Sequence, residues 1–153
     1  MEKKYYLLFV LFILFYACGE KSNSHDKVTK FIDSKCATKT SCQLDISNII
    51  EQDWDVMYYF DSQVSLDSLN SIMGVYYQHF EDVSSRLVAL KGNSVVFNQD
   101  MIGGIEETKR GEWYIVLPKL QHYKKMLHGS TLFEVEKVKV ADTYIYRLTH
   151  LEN

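Results

Sequence analysis

Residues 54–61 read Trp54-Asp55-Val56-Met57-Tyr58-Tyr59-Phe60-Asp61, and the period of this stretch decides the fold class. Successive side chains of a strand point to opposite faces. Trp54, Val56, Tyr58 and Phe60 therefore share one face, and Asp55, Met57, Tyr59 and Asp61 share the other. One face is wholly apolar, which predicts a strand laid on a core. Just beyond it, Ser65 can cap a helix whose stripe is Leu66, Leu69, Ile72 and Met73. Gly74 suits the left-handed position that ends such a helix.

Working outward, Val28, Phe31 and Ile32 lie at helical spacing in a short segment ending at Lys35, and Gln43–Ser47 alternates like a strand. Downstream, Arg86–Leu90 and Val95–Phe97 flank Lys91-Gly92-Asn93-Ser94, a hairpin signal. Met101–Gly104 reads as a flexible connection, and Glu112–Leu117 as a strand stopped by Pro118. Leu132–Val140 and Thr143–Leu151 flank Ala141-Asp142 as a terminal hairpin, with Tyr144, Tyr146 and Leu148 on one face. The apolar phase changes near Glu136, which predicts a bulge there. The sum is an α+β fold: a mostly antiparallel sheet of five to six strands with one or two helices on one face.

The 153 residues allow one ordinary domain, and 46% hydrophobic with 24% charged residues excludes a disordered or collagen-like chain. A formal charge of −3 argues against a nucleic-acid partner, because phosphate-tracking surfaces carry a basic excess.

The first residues read as an address. Lys3 and Lys4 precede an uninterrupted apolar run, Tyr5 to Ala17, and then come Cys18, Gly19 and a polar stretch to Lys27. A positive start, a short apolar core and a small residue at the cut is the layout of a secretory signal. A membrane-spanning helix needs about 20 apolar residues. This run covers only about 20 Å at about 1.5 Å per residue. The chain is thus expected to comprise a signal peptide (1–17), a lipidated Cys18 with a polar tether (18–27), and one α+β domain (28–153). Removing 1–17 takes Lys3, Lys4 and Glu2, leaving fifteen basic and nineteen acidic residues and a formal charge of −4. Such a surface gains no attraction to anionic lipid, so attachment must come from the acyl chains.

Three cysteines are an odd count for an exported protein. With Cys18 taken by lipid, Cys36 and Cys42 remain as a pair across Ala37-Thr38-Lys39-Thr40-Ser41. A disulfide is expected between them in an oxidising compartment. Free thiols are the alternative; a metal site would need further ligands, and no CxxC or HxxxH spacing is present.

Phe15-Tyr16-Ala17-Cys18 resembles the lipobox of bacterial lipoproteins, although Phe15 and Tyr16 differ from the Leu and small residue usual there. In that family the signal is cut before the Cys, whose thiol takes a diacylglyceryl group. The resemblance implies the same for Cys18. Gly19, in place of the Asp that resembles an inner-membrane retention signal, favours the outer membrane. A second likeness runs from Cys42 through Asp53-Trp54-Asp55-Val56-Met57-Tyr58-Tyr59-Phe60 and on through Ser65–Gly74 and Val88–Asn93. It is similar to small uncharacterised bacterial envelope lipoproteins over roughly residues 36–98. This likeness implies export and brings no activity with it.

Candidate sites are few. Asp53, Asp55 and Asp61 could hold a cation, yet the spacing lacks the turn glycine and closing Glu of a calcium loop, so strand-edge solvation is the simpler expectation. Trp54 could stack on a ligand or be buried in phase with Val56, Tyr58 and Phe60. Tyr76, Tyr77 and Tyr123 lie outside the clearest strand faces and suit a protein interface or packing under a loop. The mixed charges of Glu106–Glu112 read as a solvated loop. His25, His79, His122, His128 and His150 show no metal-ligand spacing. Ser130 beside His128 falls in no G-x-S-x-G, and no Gly-rich phosphate loop occurs. The expected function is a non-enzymatic, lipid-anchored envelope role, with no cofactor or metal, binding a protein partner in an immunity, inhibitor or assembly capacity. The alternatives are a small-ligand-binding domain using Trp54 and the tyrosines and, third, an enzyme of unknown type.

Overall fold

In a computed structural model the described residues are 24–36, 41–82, 84–102 and 112–151. Residues 1–23, with the expected signal peptide, Cys18 and most of the tether, lie outside them. So do 37–40 of the cysteine loop and 103–111, which hold most of the expected charge run.

The fold is α+β, with two α-helices and eight strands in two mostly antiparallel sheets among the described residues. Helix α1 (Ser24–Cys36) precedes β1 (Ser41–Asp45), a 3₁₀ turn (Ile46–Asn48) and β2 (Val56–Phe60). Helix α2 (Leu66–Met73) leads to β3 (Ser84–Lys91), β4 (Ser94–Ile102) and β5 (Trp113–Ile115). The chain closes with β6 (Tyr123–Leu127), β7 (Leu132–Val140) and β8 (Thr143–His150). The strands form two sheets of four, ordered β1-β7-β8-β5 and β4-β3-β2-β6, rather than one sheet of five or six. Among the described strands only β5 and β8 pair in parallel.

The layers follow from which side chains meet. Leu44, Phe133, Val135, Tyr146, Leu148, Trp113 and Ile115 of the first sheet share one core with Met57, Tyr59, Leu87, Ala89 and Met126 of the second. Val28, Ile32 and Cys36, one turn apart along α1, close this core. The opposite face of the second sheet, with Tyr58, Phe60, Val88 and Leu90, packs against Leu69 and Met73 of α2. The second sheet is therefore the middle of three layers, sheet, sheet and helix.

That position corrects the reading of residues 54–61. Met57, Tyr58, Tyr59 and Phe60 are all buried, because β2 has a core on each side. A strand covered on both faces loses its polar alternation. Trp54 precedes the strand and joins Met57 and Tyr59 in the inter-sheet core, on the side opposite to Tyr58 and Phe60. The expected bulge near Glu136 is also absent: β7 and β8 pair without interruption from Val140 to Phe133. With the register unbroken, Phe133 and Val135 face the core, whereas Val138 and Val140 fall on the opposite face of the sheet. The register shift lies in the β3–β4 hairpin instead, where Ala89 faces Phe97 and Leu90 faces Val95, leaving Val96 extra.

Local signals that fix termini hold. The Ser68 N–H donates to the Ser65 hydroxyl (3.3 Å) at the start of α2, and Gly74 ends it at φ 72°. Strand β6 is the element sequence reading missed.

Candidate functional site

Strand β6 lies at an edge, with β2 as its neighbour. The turn before it starts at Pro118, whose carbonyl accepts from the Gln121 N–H at 3.0 Å. Leu120 in this turn takes φ 70°, a left-handed conformation that disfavours a branched side chain, and 88% of it is exposed.

Two aspartates flanking β2 fasten the two ends of β6. At one end the Asp61 N–H donates to the His122 carbonyl (2.9 Å), and the Asp61 carboxylate meets His122 Nδ1 at 2.8 Å. At the other end the His128 N–H donates to the Asp55 carbonyl at 3.2 Å, and the His128 ring lies 4.8 Å from that of Trp54. The Asp55 carboxylate accepts from Lys91 Nζ (2.7 Å) and the Gly92 N–H (2.9 Å), and Asp53 meets Lys91 Nζ at 2.9 Å. The Lys91 hydrogen bond, then that from Gly92, holds the Asp55 carboxyl below its ordinary value; the same aspartates raise Lys91. The three aspartates considered as a cation site thus serve hairpin and strand. Among the described residues no group of three or more His, Cys, Asp or Glu side chains is placed to hold a metal.

The hydrogen-bond phase of β6 follows from these end contacts. Bonded pairs in an antiparallel ladder alternate. Asp61–His122 and Asp55–His128 are bonded pairs, so Lys124 and Met126 also turn their backbone groups toward β2. Tyr123, Lys125 and Leu127 turn theirs outward. Their side chains lie on the α2 side of the sheet, opposite Phe60, Tyr58 and Val56. Tyr58, Phe60 and Tyr123 form a ladder of stacked rings with centroids 5.7 and 5.9 Å apart, and Lys125 Nζ sits 5.8 Å from the Tyr58 ring. The ladder runs from buried to exposed: Tyr123 is 40% exposed and Leu127 60%.

The other expected binding residues divide. Trp54 is 2% exposed, which removes it as a surface platform for a ligand. Tyr76 is 72% exposed, whereas Tyr77 is buried. The Tyr77 N–H donates to Asn70 Oδ1 at 2.8 Å, and its hydroxyl reaches Asp100 at 3.5 Å. Burial, followed by the Asp100 charge, pushes the Tyr77 hydroxyl up to about 12. Arg86 lies beneath it, 3.6 Å from Asp100 and 4.1 Å from the Phe80 ring centroid, so this is a structural cluster. The catalytic pairing considered for Ser130 and His128 finds other partners: His128 faces Trp54, and the Ser130 carbonyl meets His150 Nε2 at 2.9 Å. Cys36 and Cys42 stand at disulfide-bonding distance, with Cα atoms 5.6 Å apart.

Sequence reasoning missed Leu120 and Leu127. The one available signal was the apolar–Lys–Lys–apolar–apolar run of Tyr123–Leu127, whose two lysines hide its alternation. No protein-family model, curated protein or solved structure matches the chain.

Proposed function

We propose that this chain is exported, trimmed before Cys18 and lipidated there, and that its domain binds a protein partner in the cell envelope without catalysing a reaction. Immunity, inhibition and assembly are the roles such an anchor suits. The observation that carries the reading is the approach of Cys36 to Cys42. It accounts for two of the three thiols, fits a compartment that permits disulfides, and leaves Cys18 for acylation. The two acyl chains of a diacylglyceryl group hold a protein on a bilayer firmly, whereas one is marginal. The exposed side chains around β6 supply the binding half of the proposal.

Expression of the full chain in a bacterial host, with intact-mass measurement and membrane fractionation, tests it. The expected product begins at Cys18, carries added fatty mass and fractionates with the outer membrane, while Cys18→Ser is soluble after cleavage or retained uncut. A chain still beginning at Met1, or an unmodified Cys18, overturns the anchor. Recovery of all the protein with the inner membrane overturns the outer-membrane assignment.

A further inference from the structure

We propose that the open edge of β6 takes up an extended segment of the partner by strand addition, and that this segment has the pattern apolar–x–acidic–x–apolar. The inference rests on the binding reading above and names the surface and the chemistry of its occupant.

The first support is the direction of the backbone groups. The N–H and C=O of Tyr123 and Lys125 and the N–H of Leu127 turn away from β2, and no described strand pairs with them. The Leu127 carbonyl is already used by the Ser130 N–H at 2.9 Å. An edge carrying unpaired groups is a template for another strand. Exposed edges are commonly blunted by charge, and Lys125 supplies one such charge. Tyr123 and Leu127, two residues to either side, offer apolar surface instead. Leu120 adds an exposed aliphatic side chain just upstream, held in a conformation that glycine would take more easily.

The second support is charge. The chain is acidic overall, yet from Trp113 to Phe133 it has no Asp or Glu and carries Lys119, Lys124 and Lys125. The carboxylate of Asp61 answers His122, and those of Asp53 and Asp55 answer Lys91. Lys125 is exposed and sits over the Tyr58 ring. Residues directly opposite in paired strands share a face, and opposite charges there attract while like charges repel. An acidic residue therefore belongs opposite Lys125, with apolar residues opposite Tyr123 and Leu127. The pattern reads the same in both directions, so it suits parallel or antiparallel addition. A second copy fits poorly, because antiparallel self-pairing about the centre of β6 sets Lys125 against Lys125.

The test uses the full lipidated chain in detergent micelles with the peptide Ser-Val-Thr-Glu-Thr-Val-Ser, and a twin carrying lysine in place of glutamate. Residue-resolved amide hydrogen exchange should slow at least tenfold at Lys125 and Leu127 with the acidic peptide, and stay unchanged with its twin. Lys125→Glu should exchange the two preferences. Lys125→Pro removes an outward N–H without touching a bond to β2, and should abolish protection while the β2–β6 amides remain protected. Absent protection, protection confined to another element, or equal effects of both peptides overturns the proposal. A photo-crosslinker at position 125 that joins two copies, or joins Ile105–Thr108 of its own chain, overturns it as well. Capture of an envelope protein from position 76 but not from 125 overturns the edge site while leaving partner binding intact. Loss of acylation at Cys18 would sink the anchor without touching the edge.

Discussion

The hydroxyl of Tyr146 on β8 donates a hydrogen bond to the carboxylate of Asp33 on α1, and Tyr144 reaches the same oxygen at 3.3 Å. Two adjacent same-face tyrosines of one strand thus hold one turn of α1. Their rings meet edge to face at 5.4 Å, and Lys137 Nζ lies 3.7 Å from the Tyr144 ring centroid.

Removing the stronger of these contacts should loosen the helix. A hydrogen bond to a charged group contributes about 1.5–3 kcal/mol. Tyr146→Phe should therefore lower stability by about 2 kcal/mol in urea unfolding, with Tyr144→Phe costing less. Equal, negligible effects of both would contradict the arrangement.

Alkaline pH should weaken the fold from several places at once. Burial raises the hydroxyls of Tyr59 and Tyr146 and pushes Tyr77 up to about 12 from 10.0. The unfolded chain then loses its tyrosine protons first. Stability from these groups is complete below about pH 10 and is lost as pH rises through the folded values. The urea midpoint should fall between about pH 10 and 12, and Tyr77→Phe should flatten that fall.

Leu120→Gly should stabilise the protein. A left-handed residue with a Cβ costs roughly 1–2 kcal/mol, and the added freedom of an unfolded glycine returns about 0.4–1 kcal/mol of that. A gain of about 0.5–1 kcal/mol is expected, seen as a higher urea midpoint at unchanged slope. Peptide uptake at β6 should weaken in the same variant, separating stability from binding.

Replacing both Cys36 and Cys42 with Ser should cost about 2–2.5 kcal/mol, the chain entropy of a seven-residue loop. Reductant should lower the melting temperature of the wild type toward that of the double variant and leave the variant unmoved.

Much of this architecture was legible where a residue's backbone chemistry is local. Ser65 and Gly74 bound α2, Gly92-Asn93 and Ala141-Asp142 turn their hairpins, and Val28 with Ile32 marks the buried stripe of α1. What escaped depends on partners distant in sequence. The double burial of Tyr58 and Tyr59 follows from β3, β6, the covering α2 and a facing sheet, none of which an alternating pattern reveals. Trp54 was placed by strand phase, but it lies ahead of the strand and packs by its own turn. Of the candidate site, Tyr123 was visible as a residue and its edge was not, because Lys124 and Lys125 side by side mask the period.

Five residues, 19–23, separate Cys18 from Ser24, where the described part of α1 starts. Fully stretched, that length of chain spans at most about 20 Å. With Cys18 acylated as proposed, the globule would ride close above the headgroups, on a short leash. Tension on the lipid would pass into a helix riveted to the sandwich at Asp33 and Cys36, so the load would reach both the sheet and the disulfide before any strand is peeled.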